Sequence, residues 1–115
     1  SLADADAPRK SYVDNTGIWQ LHIVTPIGTQ LVLLELSEQG GALAGVARGT
    51  TETIPLIDLK REGDRLTWKQ SITRPMRLHL VFDVTIQGST MIGTSKAGML
   101  PTSKVTGSRV TTDTP

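Results

Sequence analysis

The sequence contains no cysteine among its 115 residues. This absence excludes disulfide bonds, catalysis by a thiolate and zinc sites with cysteine ligands. It leaves the cellular compartment open, because proteins without cysteine function both in the cytosol and outside the cell. We therefore expect a soluble protein that is either cytoplasmic or a secreted protein in its mature form.

Aromatic residues are scarce, with two Trp, one Tyr and one Phe. A surface that binds single-stranded nucleic acid needs several aromatic side chains beside a basic stripe. The 12 Lys and Arg residues nearly balance the 11 Asp and Glu residues, and no block of one sign occurs. Phosphate backbones gain little from such a surface. The composition therefore predicts no nucleic-acid partner.

Long apolar runs are also missing. The longest, residues 31–34, has the length of a strand, whereas a membrane helix needs about 20 residues. The two histidines, His22 and His79, are not spaced as metal ligands, and strand alternation predicts that both face solvent. The Gly-x-Ser-x-Gly signature of α/β-hydrolases does not occur. We expect no membrane span, no metal and no bound cofactor.

The sequence does contain short β-rich runs separated by glycine and proline turns, with a turn about every ten residues, as is typical of a sandwich or barrel. Short loops can join only antiparallel neighbouring strands. Closure of the sheet into a barrel would leave no unpaired strand edge. The pattern predicts an all-β domain at 17–110, a single eight-stranded antiparallel up-and-down β-barrel, with a flexible N-terminal arm at 1–16 and a C-terminal tail at 111–115. The predicted strands are 17–24, 29–37, 42–48, 53–60, 65–73, 76–87, 90–96 and 104–110.

A weak internal repeat supports the hairpin prediction. A turn glycine is followed three positions later by a large apolar residue, and this pattern recurs at intervals of about two strands and two turns. The repeat predicts three versions of one hairpin. Its glycines are Gly40, Gly63 and Gly88, and the apolar residues are Leu43, Leu66 and Met91.

The two ends of the predicted barrel carry a recognisable motif. Gly17-Ile18-Trp19 begins the first strand, and Arg109 lies in the last. This arrangement resembles the calycin superfamily of lipocalins, fatty-acid-binding proteins and avidins, in which a Gly-x-Trp packs beneath an arginine of the final strand. The resemblance implies that Gly17, Trp19 and Arg109 close one end of the barrel, with the guanidinium stacked on the indole ring. It implies a structural role for them and no chemistry.

Alternation along the strands predicts which side chains face the barrel interior, among them Ile23, Val32, Ile72, Leu78 and Leu80. An eight-stranded barrel is either filled by side chains or just wide enough for one small ligand. Small inward residues, among them Gly45, Ala47, Gly93 and Ser95, are expected to leave space inside. The alternative is a filled core in which they only accommodate larger neighbours. The predicted ligand-binding residues are Leu34, Gly45, Trp68, Gln70, Phe82, Met91, Gly93 and Ser95.

Asp58 is the one acid–base candidate. Its position in the alternation matches that of inward-facing Gln70. If the carboxyl group were buried against apolar walls, loss of solvation would raise its pKa and suit it to proton transfer. The alternative is an ordinary Asp at a solvated strand end.

Three functions are compatible with this sequence. The first is binding of a small hydrophobic molecule inside the barrel. The second is a cofactor-free enzyme, a cyclase or isomerase that confines a lipid- or polyketide-like substrate. The third is a protein-interaction module, which predicts a filled interior and an apolar outer patch. The loop at 97–103 carries Met99 and Leu100 and is expected either to cover the barrel mouth or to contact another subunit. A homo-oligomer is therefore one of the possible assemblies.

Overall fold

The computed structural model describes residues 16–73 and 76–110, and every regular element in these ranges is an antiparallel strand. Within them, no helix is long and apolar enough to cross a membrane. Nearly all of the predicted arm, the whole predicted tail and the turn at 74–75 lie outside the described residues. The strands are β1 (Gly17–Thr25), β2 (Gly28–Gln39), β3 (Ala42–Arg48), β4 (Thr53–Pro55), β5 (Ile57–Glu62), β6 (Arg65–Ile72), β7 (Leu78–Gln87), β8 (Thr90–Lys96) and β9 (Ser103–Val110).

The strands form one sheet in the order β4-β3-β2-β1-β9-β8-β7-β6-β5. Neighbours are joined by short turns, except that the first and last strands, β1 and β9, pair directly. The up-and-down antiparallel arrangement predicted from loop length is therefore confirmed. The number of strands is not, because the described chain has nine where eight were predicted.

The ninth strand arises from a break in the predicted strand 53–60. Proline has no N–H with which to continue a ladder, and β4 ends at Pro55. Asp58 has a positive φ of 53°, and the pairing of β5 with β6 shifts register between Ile57 and Lys60. The chain therefore bends here, which sequence alternation alone does not indicate.

The bend brings the two edges of the sheet together. β4 pairs with β3, whereas β5 pairs with β6. Between them, the backbone N–H of Leu56 donates to the carbonyl oxygen of Gly45 at 3.0 Å. Strand β3 also contacts β5, and β4 contacts β6. As a result, the nine strands form a nearly closed antiparallel barrel.

Because each strand reverses the previous one, the connections alternate between two ends of the barrel. The repeat glycines Gly40, Gly63 and Gly88 form turns at one end, with φ values of 62°, 62° and 63° in the left-handed region that glycine adopts without strain. The same end receives the start of β1 and the end of β9, and we call it the closed end. The connections at 26–27, 49–52 and 97–102 lie at the other, the open end, as do the end of β6 and the start of β7.

Trp19 and Arg109 seal the closed end. Trp19 is fully buried, and the guanidinium carbon of Arg109 lies 4.6 Å from the centre of its rings. Arg109 Nη1 donates to the carbonyl oxygen of Thr16 at 2.5 Å. A Cβ at Gly17, whose φ is 115°, would lie 3.0 Å from this Nη1, so glycine leaves room for the guanidinium. The predicted stacking of Arg109 on Trp19 is confirmed.

Burial of the inward side chains decreases from the closed end to the open end. On β7, Phe82, Val84 and Ile86 are buried, Leu80 is half-buried, and Met76, which was predicted to begin this strand, is 55% exposed and precedes it. The closed half is a packed core, while the open half is not filled by its own side chains. The buried apolar residues are Trp19, Leu21, Ile23, Leu34, Leu36, Ala47, Leu66, Trp68, Phe82, Val84, Ile86, Met91, Ala97 and Val105.

Two inward glycines are needed for close approach between strands. A Cβ on Gly93 would collide with the backbone of β7 at Asp83 and Val84. A Cβ on Gly45 would lie 2.6 Å from the carbonyl oxygen of Glu35. Neighbouring strands therefore occupy the space that a side chain at either position would need.

On the outer face, Arg65 and Asp83 form a two-pronged ion pair across β6 and β7. Arg65 Nε donates to one carboxylate oxygen at 2.9 Å, and Nη2 donates to the other at 2.6 Å. These hydrogen bonds and the positive charge of Arg65 hold the pKa of Asp83 below its usual value. Both side chains are partly exposed, so solvent weakens the pair.

We expect Gly93→Ala to lower the free energy of unfolding by about 1–3 kcal/mol, because the added methyl group forces β7 and β8 apart. Chemical denaturation measures this change. Thr94→Ala is the matched control, since Thr94 is exposed on the same strand, and it should cost much less. Equal stability of the Gly93 variant and the wild type would contradict this account of the strand contact.

The ion pair predicts a pH-dependent stability. Because folding lowers the pKa of Asp83, its contribution is present above the unfolded value of about 3.9 and is lost as the pH falls through the lower folded value. At pH 7, Asp83→Asn should destabilise the barrel by about 0.2–1 kcal/mol. Denaturation at a series of pH values from about 2 to 7, which spans the titration of Asp, tests this. In an Arg65→Met background the Asn substitution should have little effect, and an undiminished effect there would refute the pairing.

Candidate functional site

The open half of the barrel contains a cavity of about 630 Å³. This volume lies within the range of about 300–1,000 Å³ that is typical of small-molecule sites. Its wall is formed by side chains from eight of the nine strands, all except β5. The aliphatic wall residues are Ile23, Val32, Ala47, Ile54, Ile72, Leu78 and Leu80.

The bottom of the cavity is formed by Phe82, which stacks on Trp68. These residues are directly paired on β7 and β6. Their ring centres lie 4.9 Å apart with an angle of 6° between the ring planes. Trp68 does not line the cavity itself, but it holds Phe82 from the side of the packed core. This stack, which we call the aromatic floor, separates the filled half of the barrel from the open half.

Two buried polar side chains face the cavity close to the aromatic floor. Gln70 is 5% exposed and Ser95 is 4% exposed. Gln70 Oε1 accepts a hydrogen bond from Trp68 Nε1 at 2.9 Å. Ser95 lies directly opposite Phe82 on β8. The deepest part of an otherwise aliphatic cavity is thus polar.

The rim combines exposed apolar residues with one carboxylate. Ile27 and Leu100 line the mouth and are 69% and 48% exposed, whereas Met99 is 99% exposed and is not among the lining residues. Glu52 is the only charged residue among the described lining residues. Its two carboxylate oxygens accept hydrogen bonds from the backbone N–H of Thr73 at 3.0 Å and from its hydroxyl at 2.7 Å. The walls below the rim therefore offer no charge to a ligand.

The predicted ligand-binding residues divide into two groups. Gln70, Phe82 and Ser95 line the cavity. The other five lie in the packed half or beside the aromatic floor and are not among its lining residues, so a direct ligand contact by them stays an untested prediction. They are Leu34, Gly45, Trp68, Met91 and Gly93.

The inward position expected for Asp58 is wrong. Its side chain is 65% exposed and lies 3.6 Å from Lys69 Nζ on the outside of the barrel. The positive φ at this position and the register shift of β5 interrupt the alternation that was used to place it. Asp58 is therefore not in a position to exchange protons with a molecule in the cavity.

The histidines lie on the outside, as alternation predicted. His22 and His79 are both exposed. His79 Nδ1 shares a hydrogen bond of 2.9 Å with the hydroxyl of Ser71. In the part of the chain that the structure describes, no three His, Asp or Glu side chains are grouped as metal ligands would be.

Sequence reasoning missed most of the cavity wall as a site, although it placed those residues inside. Ile23, Ile72 and Leu80 have the alternation of ordinary core residues. The available signal was topological: they lie near the strand ends opposite the glycine turns, and hence at the open end.

Comparisons with known proteins add no relative. No protein-family model matches the chain, and neither a curated protein nor a solved structure matches it. The nearly closed antiparallel barrel is compatible with a calycin-like fold, and membership of that superfamily stays a prediction.

Proposed function

We propose that this protein binds one small hydrophobic molecule in the open half of its barrel. The observation that carries the proposal is the cavity of about 630 Å³ above the aromatic floor. Burial of apolar ligand surface against aliphatic walls is favourable by about 25 cal/mol per Å². Each strand of the wall is hydrogen-bonded into the sheet, and all except β4 pair with a neighbour on both sides, so the site is largely formed before the ligand arrives.

The enzyme alternative has less support. A cyclase or isomerase that relies on proton transfer needs a titratable group beside its substrate. Among the described lining residues only Glu52 has an ionisable side chain, and its carboxylate already accepts hydrogen bonds from Thr73 at the rim. The interaction-module alternative predicts a filled interior, and the open half does not have one.

Ligand binding is tested by filling the cavity. Leu80→Trp places a larger side chain in the wall, and we expect it to weaken binding of N-phenyl-1-naphthylamine, a neutral hydrophobic fluorophore, at least tenfold. Val81→Trp is the matched control, because Val81 is the next residue on β7 and is exposed on the outer face. Fluorescence titration gives both affinities.

The wild type should also gain stability from a bound ligand, by about 2.7 kcal/mol at a free concentration of 100 times the dissociation constant. A thermal-shift panel of neutral hydrophobic compounds, followed by native mass spectrometry, measures this gain. Absence of any stabilising compound, or equal effects of the two Trp substitutions on affinity, would rule out the proposed site.

A further inference from the structure

We propose that the ligand is an uncharged amphiphile that enters with its polar end first and presents a hydrogen-bond acceptor, such as a ketone, aldehyde or ester oxygen, to Gln70 and Ser95. This inference rests on the proposed function and specifies the chemical class of the ligand. It is based on the hydrogen-bond inventory at the bottom of the cavity.

The direction of the Gln70 amide follows from its partner. An indole N–H only donates, so the atom of Gln70 that faces Trp68 Nε1 is the amide oxygen. The amide nitrogen, with two N–H donors, is then turned away from Trp68. Within residues 16–73 and 76–110, this nitrogen has no hydrogen-bond partner. Gln70 is buried and lines the cavity, so its free donors face the cavity and not the bulk solvent.

A hydroxyl pair lies on the adjacent wall. Ser95 and Ser103 are directly opposite each other on β8 and β9, and both line the cavity. Residues in such a pair have Cβ atoms about 5 Å apart on the same face. In the described part of the chain, neither hydroxyl has a protein partner. A carbonyl oxygen near the aromatic floor therefore has donors available from two walls.

Charge selects against an ionised ligand. A carboxylate buried without a cation loses its hydration, and neutral hydrogen bonds replace that hydration only in part. The described lining residues contain no Lys or Arg, and the one charged group, Glu52, is itself negative. The aliphatic wall above Gln70 accommodates the apolar remainder of the molecule, which extends toward the apolar rim.

The test compares how one substitution changes the affinity for three ligands. Because each ligand is compared with itself between two proteins, differences in ligand hydration cancel. Gln70→Glu keeps an oxygen for Trp68 Nε1 and replaces the amide nitrogen by a second oxygen. Octan-2-one, an acceptor, should bind about tenfold more weakly. Octylamine, which is protonated at neutral pH and therefore only donates, should bind about tenfold more tightly, and butylbenzene, which has neither group, should change little.

Ser71→Ala is the matched control, since Ser71 follows Gln70 on β6 and lies on the outer face, and it should change none of the three affinities. Ser95→Ala should weaken octan-2-one alone, by about threefold. If Gln70→Glu does not fold, the Ser95 variant and the wild type still test the inference. In the wild type, NMR signals of the Gln70 side-chain amide should shift with octan-2-one and stay with butylbenzene.

The outcomes separate the two proposals. The acceptor inference is wrong if octan-2-one and butylbenzene both bind and if Gln70→Glu and Ser95→Ala change the two affinities equally. That result would leave the hydrophobic site intact. Tighter binding of octanoate than of octan-2-one also overturns it. Failure of every compound to bind the wild type overturns the proposed function itself.

Discussion

The stack of Trp68 on Phe82 is the contact on which the rest of the barrel interior depends. On one side of it, apolar side chains fill the space between the strands, and the closed end is sealed by Arg109 above Trp19. On the other side the walls consist of the same kind of aliphatic residue, but above Phe82 the described lining residues include no further aromatic ring. A pair of flat rings can end a packed core abruptly, because its second face is apolar and needs no further protein contact. The same surface can serve as the floor of a binding site.

The aromatic floor also fixes the polar chemistry of the cavity. Burial of an indole N–H without a partner costs about 1–3 kcal/mol. Trp68 avoids this cost through Gln70, and the same hydrogen bond orients the amide so that its donors face the cavity. Trp19 Nε1, in the closed half, is buried without a hydrogen-bond partner among the described residues. Of the two buried indoles, only that of Trp68 has a hydrogen-bond partner within the described ranges. That partner, Gln70, therefore both stabilises the core and supplies donors to the cavity.

Closure of the sheet into a barrel depends on the bend between β4 and β5. A regular strand from 53 to 60 cannot pair with β3 along one half and with β6 along the other without a bend. Pro55, the positive φ of Asp58 and the missing side chain of Gly45 provide that bend and allow Leu56 to come close. The same bend places Asp58, the acid–base candidate of the enzyme hypothesis, on the outside of the barrel.

The sequence by itself determined the all-β class, the antiparallel order, most strand limits and the inward faces, because turn residues and alternation are local properties of the chain. It also indicated the contact of Trp19 with Arg109 through a motif at the two chain ends. Only the tertiary structure decided which inward residues surround empty space. Whether Gly93 leaves room or admits a neighbouring strand, and whether Leu80 packs against a side chain or against a cavity, depends on register, twist and closure. Those are properties of strands that are distant in sequence, so no local pattern records them.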